Sequence, residues 1–279
     1  MDTGIDVIAE SEAPFPPFGL FAGIHLLFEQ QEERFSRFRP ASMLSRLNAG
    51  SAIEDPFFAA ACGFALEAHA FTGGLFNPLI LGALRQAGYG VTFSAVSGGE
   101  PRPNLVPSPA ECLHIEGTRV SLDGAALDLG GIVKGWTVDL ATEMAANAGF
   151  AALVNAGGDL RATGAEAGAA NGWFVQVEGP SGEPAWEGEV AGALATSTTL
   201  KRAWRTNDGG RAHHLIDPRT GLPAESPFVQ VSAWARETWR AECWAKAVLV
   251  GGHAAAEAAG SAGIPVLALG PAGEVLASP

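Results

Sequence analysis

Two glycine pairs, a lysine, an aspartate and a histidine are the residues of this chain best suited to chemistry. Gly130-Gly131 follows an apolar strand end (Leu127, Leu129) and precedes a helix expected over 132–147, which Gly149 ends at a left-handed position. Paired glycines before a helix bare backbone N–H groups beside the positive end of its dipole, a favourable place for an anion. Lys134 falls in that helix's first turn, where a cation is disfavoured unless something anionic, such as a phosphate, lies in front of it. The same residues also read as an ordinary strand–turn–helix with a solvated lysine, because the spacing fits neither GxGxxG nor the phosphate-loop pattern. A second strand, 151–155, closes on Gly157-Gly158-Asp159.

His213 to Gly221 form a further dense cluster, HHLIDPRTG. Asp217-Pro218 followed by Thr220-Gly221 is a turn signal, so Asp217 reads first as turn chemistry. His214 beside that turn carries an imidazole able to act as a general base near neutral pH, although a lone histidine is more often structural. Thr196, Ser197, Thr198 and Thr199 make a hydroxyl run at a strand end, suited to phosphate oxygens or simply to an edge. There is no GxSxG elbow, HExxH helix or paired-cysteine metal site.

These residues must be held by a chain of 279 residues, 47% apolar, long enough for one large domain or two intimate lobes. A net charge of −13 argues against nucleic acid or an anionic membrane as partner, and means that a phosphate needs local donors, a metal or a few chosen cations. Cys62, Cys112 and Cys243 are odd in number and far apart, as expected of thiols in a reducing compartment. The start lacks the basic region and apolar core of a signal peptide, and residues 15–28 are too short and Pro-broken for a membrane span, so the expected location is cytoplasmic.

Along the chain, residues 1–13 read as a loose acidic tail before a single domain over 14–279. Apolar spacing predicts a helix over 19–36, and Ser42 caps a short turn closed by 48–50. Asp55-Pro56 opens a helix that ends near Gly73-Gly74, and Asn77-Pro78 repeats that device for a helix ended by Gly88. Residues 98–109 read as a surface loop, and 112–122 as a hairpin. Strands are expected from 173, 189, 200, 228 and 266, with helices over 239–250 and 253–260. Helices first and strands later favour an α+β fold with a largely antiparallel or mixed sheet flanked by helices.

In order, FSRFRPASMLSRLN, TGGLFNP, LDLGGIVKGWTVD, LVNAGGDLRATG, LATSTT, HHLIDPRTG and AECWAKAVLVGG resemble the FAD:protein FMN transferases of the ApbE family, from about residue 35 to 252. The resemblance implies an ApbE-like (T-fold-like) architecture and an enzyme that cleaves FAD and passes FMN to a threonine or serine of an acceptor flavoprotein, with Mg2+. It implies His214, Asp159 and Lys134 as catalytic residues. Ser42, Asn48, Phe76, Asn77, Asp128, Gly130, Gly131, Asn155, Gly157, Gly158, Thr196, Ser197 and Lys246 are expected beside them at the flavin nucleotide.

On its late helix the family carries an aspartate and, four residues on, a threonine, both expected to ligate the metal. Here those positions are Glu242 and Lys246. Glutamate remains a possible metal ligand, whereas a protonated lysine is not. Either the two form a plain i,i+4 pair on a solvated face, or the Lys246 ammonium stands where the ion would. The departure leaves two alternatives to transfer: a non-catalytic carrier or sensor of flavin nucleotide, and an FAD pyrophosphatase releasing FMN and AMP.

Overall fold

The computed structural model describes residues 4–10, 18–166 and 168–277. Strand β1 (Ile5–Glu10) comes first. It is followed by α1 (Phe18–Phe35), α2 (Met43–Asn48), β2 (Ile53–Glu54), α3 (Pro56–Phe71), α4 (Leu81–Gln86) and α5 (Pro109–Cys112). The hairpin β3 (Leu113–Glu116) and β4 (Arg119–Leu122) leads into α6 (Val133–Asn147). Strands β5 (Ala151–Ala156), β6 (Asp159–Thr163), β7 (Trp173–Glu178), β8 (Pro184–Val190) and β9 (Gly192–Thr198) follow. Then come β10 (Ala203–Arg205), β11 (Arg211–His213), β12 (Ile216–Asp217), β13 (Leu222–Pro223), β14 (Gln230–Ala235), α7 (Thr238–Ser261), β15 (Val266–Leu269) and β16 (Val275–Ala277).

Seven strands pair in the order β1-β5-β6-β9-β14-β15-β16, and each neighbouring pair is antiparallel. The expected α+β class with a helix-flanked antiparallel sheet is therefore observed. Side chains alternate across the sheet with period two. Val154 and Ala156 face Ile24 and Phe28 of α1 and Val138 and Ala141 of α6. Leu153, Leu160 and Leu194 face the opposite way, under Trp173, Val177 and Val190 of the β7–β8 hairpin. A separate core joins Leu44, Leu47 and Phe58 to Leu127, Leu129, Ile132 and Cys243, so the glycine turn rests on packed apolar groups. Each such fully buried side chain contributes roughly 1.5–3 kcal/mol.

Local signals explain the early helices. Ser42 Oγ accepts from Ser45 N at 3.0 Å, and Asp55 Oδ1 accepts from Phe58 N at 2.7 Å with Pro56 at the first helical position. At three places the structure departs from the sequence reading. Residues 5–10 are a strand paired with β5 rather than loose tail, while 1–3 and 11–13 of that stretch lie outside the described residues. Asn77 does not cap a helix: its Oδ1 accepts from Leu79 N at 2.9 Å, and α4 starts at Leu81 without a side-chain cap. The strand expected from 189 is two strands, β8 and β9, joined at Ala191. The two late helices expected over 239–250 and 253–260 are both present within α7, parted by the non-helical Gly252 (φ 64°, ψ −146°). The 98–109 loop is tied down, with Glu100 N donating to Gln86 O and Asn104 N to Thr220 O. Among the described residues no helix is long and apolar enough to cross a membrane.

Candidate active site

Two helices aim the charged residues. The Asp139 carboxylate on α6 accepts from Thr238 N and Oγ1, each at 2.8 Å, and from Trp239 N at 3.3 Å, so α6 caps the start of α7. Burial pushes the Asp139 carboxyl up to about 6 against the pull of these donors and Arg161. Three residues into α6, Gly135 lets the backbones touch: a Cβ there would lie 2.8 Å from Trp239 N. This crossing fixes the rotation of α7, so that Glu242 faces the first turn of α6 and Lys246, one turn on, lies against Gly131 just before it.

Four charges meet at that point. Lys134 Nζ donates to the Asp159 carboxylate and, at 3.2 Å, to Ala156 O. Lys246 Nζ donates to Glu242 Oε1 at 2.8 Å, and Lys134 Nζ lies 3.9 Å from the same oxygen. The other Glu242 oxygen accepts from Gly135 N at 3.2 Å, placing a carboxylate at the positive end of α6. The anion that the first-turn lysine calls for is thus supplied from within the chain. Burial and the neighbouring Glu242 push Asp159 up to about 6, against both lysines. Burial also works against the charge of Glu242, but Lys246 and Lys134 prevail and hold its carboxyl low. Lys134 is pulled down by burial, yet Asp159 and Glu242 raise it above the usual lysine value.

Both glycine pairs have structural reasons. Gly157 (φ 62°) and Gly158 (φ 96°) form the two-residue turn between β5 and β6, where both central residues need positive φ. Asn155 Oδ1 accepts from Gly158 N at 3.0 Å and locks the turn, so Asp159 emerges beside Lys134. A Cβ on Gly131 would come within 3.0 Å of the Phe76 ring and 3.3 Å of Lys246 Cε, so its bareness makes room for both. Gly158 O accepts from Thr196 N, and Thr196 Oγ1 shares a hydrogen bond with Ser232 Oγ at 2.8 Å. Ser197 is buried on β9 opposite Val231.

His214 is half-buried. Its Nδ1 is shut from solvent and has no hydrogen-bond partner. Burial, then the cations Arg202 and Lys246, hold its pKa down to about 3, so the ring is neutral at physiological pH. Arg202 lies beside His214, its carbonyl accepting from His214 N at 3.2 Å. Asp217, by contrast, does turn work: it accepts from Arg219 N at 2.9 Å and pairs with the Arg219 guanidinium.

The remaining expected residues form a frame on the other side of the glycine turn. Asn48 clamps Leu127, accepting from its N–H at 2.7 Å and donating to its carbonyl at 2.9 Å. Ser42 caps the helix that carries Asn48, and Asn77 Nδ2 donates to Pro107 O. Asp128 accepts from Gly130 N at 2.7 Å and from Arg37 Nε at 2.9 Å. Arg37 and Arg202 were missed in the sequence. Arg37 lies inside the FSRFRP stretch, but nothing in that spacing tells it from Arg39, and Arg202 stands next to Lys201 with nothing to separate them.

These residues do not fit a divalent cation. Both Glu242 oxygens and the Asp159 carboxylate are engaged by lysine ammoniums or a backbone N–H. Among the described residues no group of three or more His, Cys, Asp or Glu stands together as a metal site.

FAD:protein FMN transferase of Vibrio cholerae is 29% identical over 268 residues, covering 88% of this chain and 77% of that protein. The protein of the same name from Treponema pallidum is 30% identical over 259 residues, covering 82% and 70%. In fold, the crystal structure of the ApbE protein of Thermotoga maritima superposes with a TM-score of 0.85 at 24% identity, covering 99% of this chain and 94% of that one. The ApbE family matches residues 1–267, which span the glycine turn, the Gly157-Gly158 hairpin, His214 and Lys246 alike, and the chain belongs to that family.

Proposed function

We propose that this chain is an FAD:protein FMN transferase, cleaving FAD and attaching FMN to a threonine or serine of an acceptor flavoprotein. One observation carries the reading: Lys134 and Lys246 come together on Glu242 beside Gly131 and the Gly157-Gly158 turn. Phosphoryl transfer needs charge neutralisation and an in-line acceptor rather than covalent help from the protein. Lys134, Lys246 and Arg202 hold the pyrophosphate, and Phe76 borders the flavin side of the turn. The acceptor hydroxyl oxygen bonds to the FMN phosphorus as the bond to the AMP phosphate breaks. Its proton passes to the neutral imidazole of His214, and AMP leaves with its charge held by the lysines. A pyrophosphate dianion between Lys246 and Arg202 offsets the field that depresses His214, raising its basicity when substrate is bound. The three free thiols suit a cytoplasmic setting, which belongs to the same reading.

The Lys246–Glu242 pair supports a second reading, a carrier that binds flavin nucleotide without chemistry. Incubation with FAD and an acceptor flavoprotein separates the two. Flavin fluorescence on the acceptor band in a denaturing gel is the expected result. Free FMN and AMP alone would mean hydrolysis, and FAD bound but unchanged would mean the carrier.

A further inference from the structure

We propose that Lys246 is a built-in cation: seated on Glu242, it takes the place of a divalent ion and holds the pyrophosphate of FAD without metal. This rests on the flavin reading above and adds to it the nature of the counter-charge.

An i,i+4 Glu–Lys pair on a helix surface stabilises only weakly and has no reason to be buried. Here the Glu242 side chain is 2% exposed and Lys246 18%. Burying charges costs several kcal/mol per ion by order of magnitude, so a site that does so is organised around them. Asp159 and Glu242 are shut away while both lysines keep an open portion, so what the cluster shows to solvent is lysine. The Lys246 stem runs along the glycine turn, 3.3 Å from where a Gly131 Cβ would stand, and its ammonium rests on Glu242 beside that turn. In a chain of net charge −13, Lys134 and Lys246 are the cations that this cluster presents to solvent.

Mg2+ needs near-octahedral oxygen ligands at about 2.0–2.1 Å. The one carboxylate oxygen on α7 available for that role already holds an ammonium at 2.8 Å. The two arrangements exclude each other sterically and electrostatically. A lysine is a fixed point charge, independent of the metal concentration.

The test is the dissociation constant of FAD on the full chain, read by quenching of flavin fluorescence, with Mg2+ and with excess EDTA. The two values are expected to agree within about twofold, well under the roughly 1.4 kcal/mol that a tenfold change represents. Lys246→Met is expected to weaken binding about 10- to 100-fold in both conditions, the size of a lost charge-assisted contact. Lys246→Arg, which keeps the charge, should bind FAD without metal. The double variant Glu242→Asp with Lys246→Thr should bind at least about tenfold tighter with Mg2+ than with EDTA. Wild-type binding that falls tenfold on chelation overturns the proposal while leaving the flavin reading intact. So does a Lys246→Met variant with lowered thermal stability but unchanged FAD affinity, which would make the pair purely structural. No FAD binding with or without Mg2+ sinks the flavin reading itself. The wild-type comparison needs no variant, so the proposal stays testable if a substituted chain fails to fold.

Discussion

Two ion-pair systems flank the same glycine turn, and they are built differently. On one side Arg37 is held from several directions: its Nε meets Asp128, another guanidinium nitrogen donates to Tyr89 O at 2.8 Å, and its plane packs against the Phe38 and Tyr89 rings. Asp128 spends its second oxygen on Gly130 N. On the other side Asp159 is pushed up by burial and by Glu242, two lysines share two carboxylates, and His214 Nδ1 has no partner. The first system fixes the backbone. The second, whose two lysines keep an exposed portion, can respond to a ligand. The likeness of the two systems in sequence, a basic residue and an aspartate in each, hides this difference.

The sharpest way to break the comparison is Lys134→Met. It leaves Asp159 buried without its main counter-charge and should destabilise the fold by about 3–5 kcal/mol near pH 8, read by the denaturant midpoint. Losing Lys134 drives the Asp159 carboxyl further above its wild-type value of about 6. A carboxyl whose folded pKa is raised lowers stability above that pKa and recovers it as pH falls through it. The loss should therefore shrink between pH 8 and pH 5, and an undiminished loss at pH 5 would show that Asp159 is not the group left stranded.

On the framework side, Asn48→Ala should destabilise by about 1–3 kcal/mol by orphaning the buried Leu127 N–H and carbonyl, with no such pH relief. Relief in acid there would erase the contrast between the two sides. The smallest expected effect is the titration of His214, followed by the NMR shift of its ring. With a folded pKa of about 3, below its unfolded value, His214 adds stability above pH 6.5 that is lost as pH falls toward 3. The ring should show no titration between pH 5 and 8 in the free protein, and its midpoint should move up when inorganic pyrophosphate is added. A midpoint near 6.5 in the free protein would mean that neither burial nor Lys246 acts on it.

Much of the fold was legible because its signals are local. Ser42, Asp55-Pro56 and Gly149 mark helix ends by what they do to their own neighbours, and the structure places the ends there within a residue or two. β1 was not legible because its partner, β5, lies about 150 residues on, and a six-residue acidic stretch gives no sign of a pairing that distant. Asn77 misled because an asparagine before proline suits a turn as well as a cap, and only the Pro107 carbonyl decides between them. In the site, the glycines and Lys134 stood out by their position at a helix start. The bond from Lys134 to Asp159 did not, because it depends on the β5–β6 turn returning the chain to α6.

The break in α7 at Gly252 has a mechanical consequence. Its φ of 64° with ψ of −146° is a geometry open essentially to glycine, six residues past Lys246. The helix is therefore jointed, not a single rod. Twisting or displacing the outer segment, 253–261, is absorbed at the joint and leaves the inner segment, clamped by Asp139 at its start, pointing where it did. Any other residue at that position would strain the joint and disturb the direction of the segment that carries the lysine.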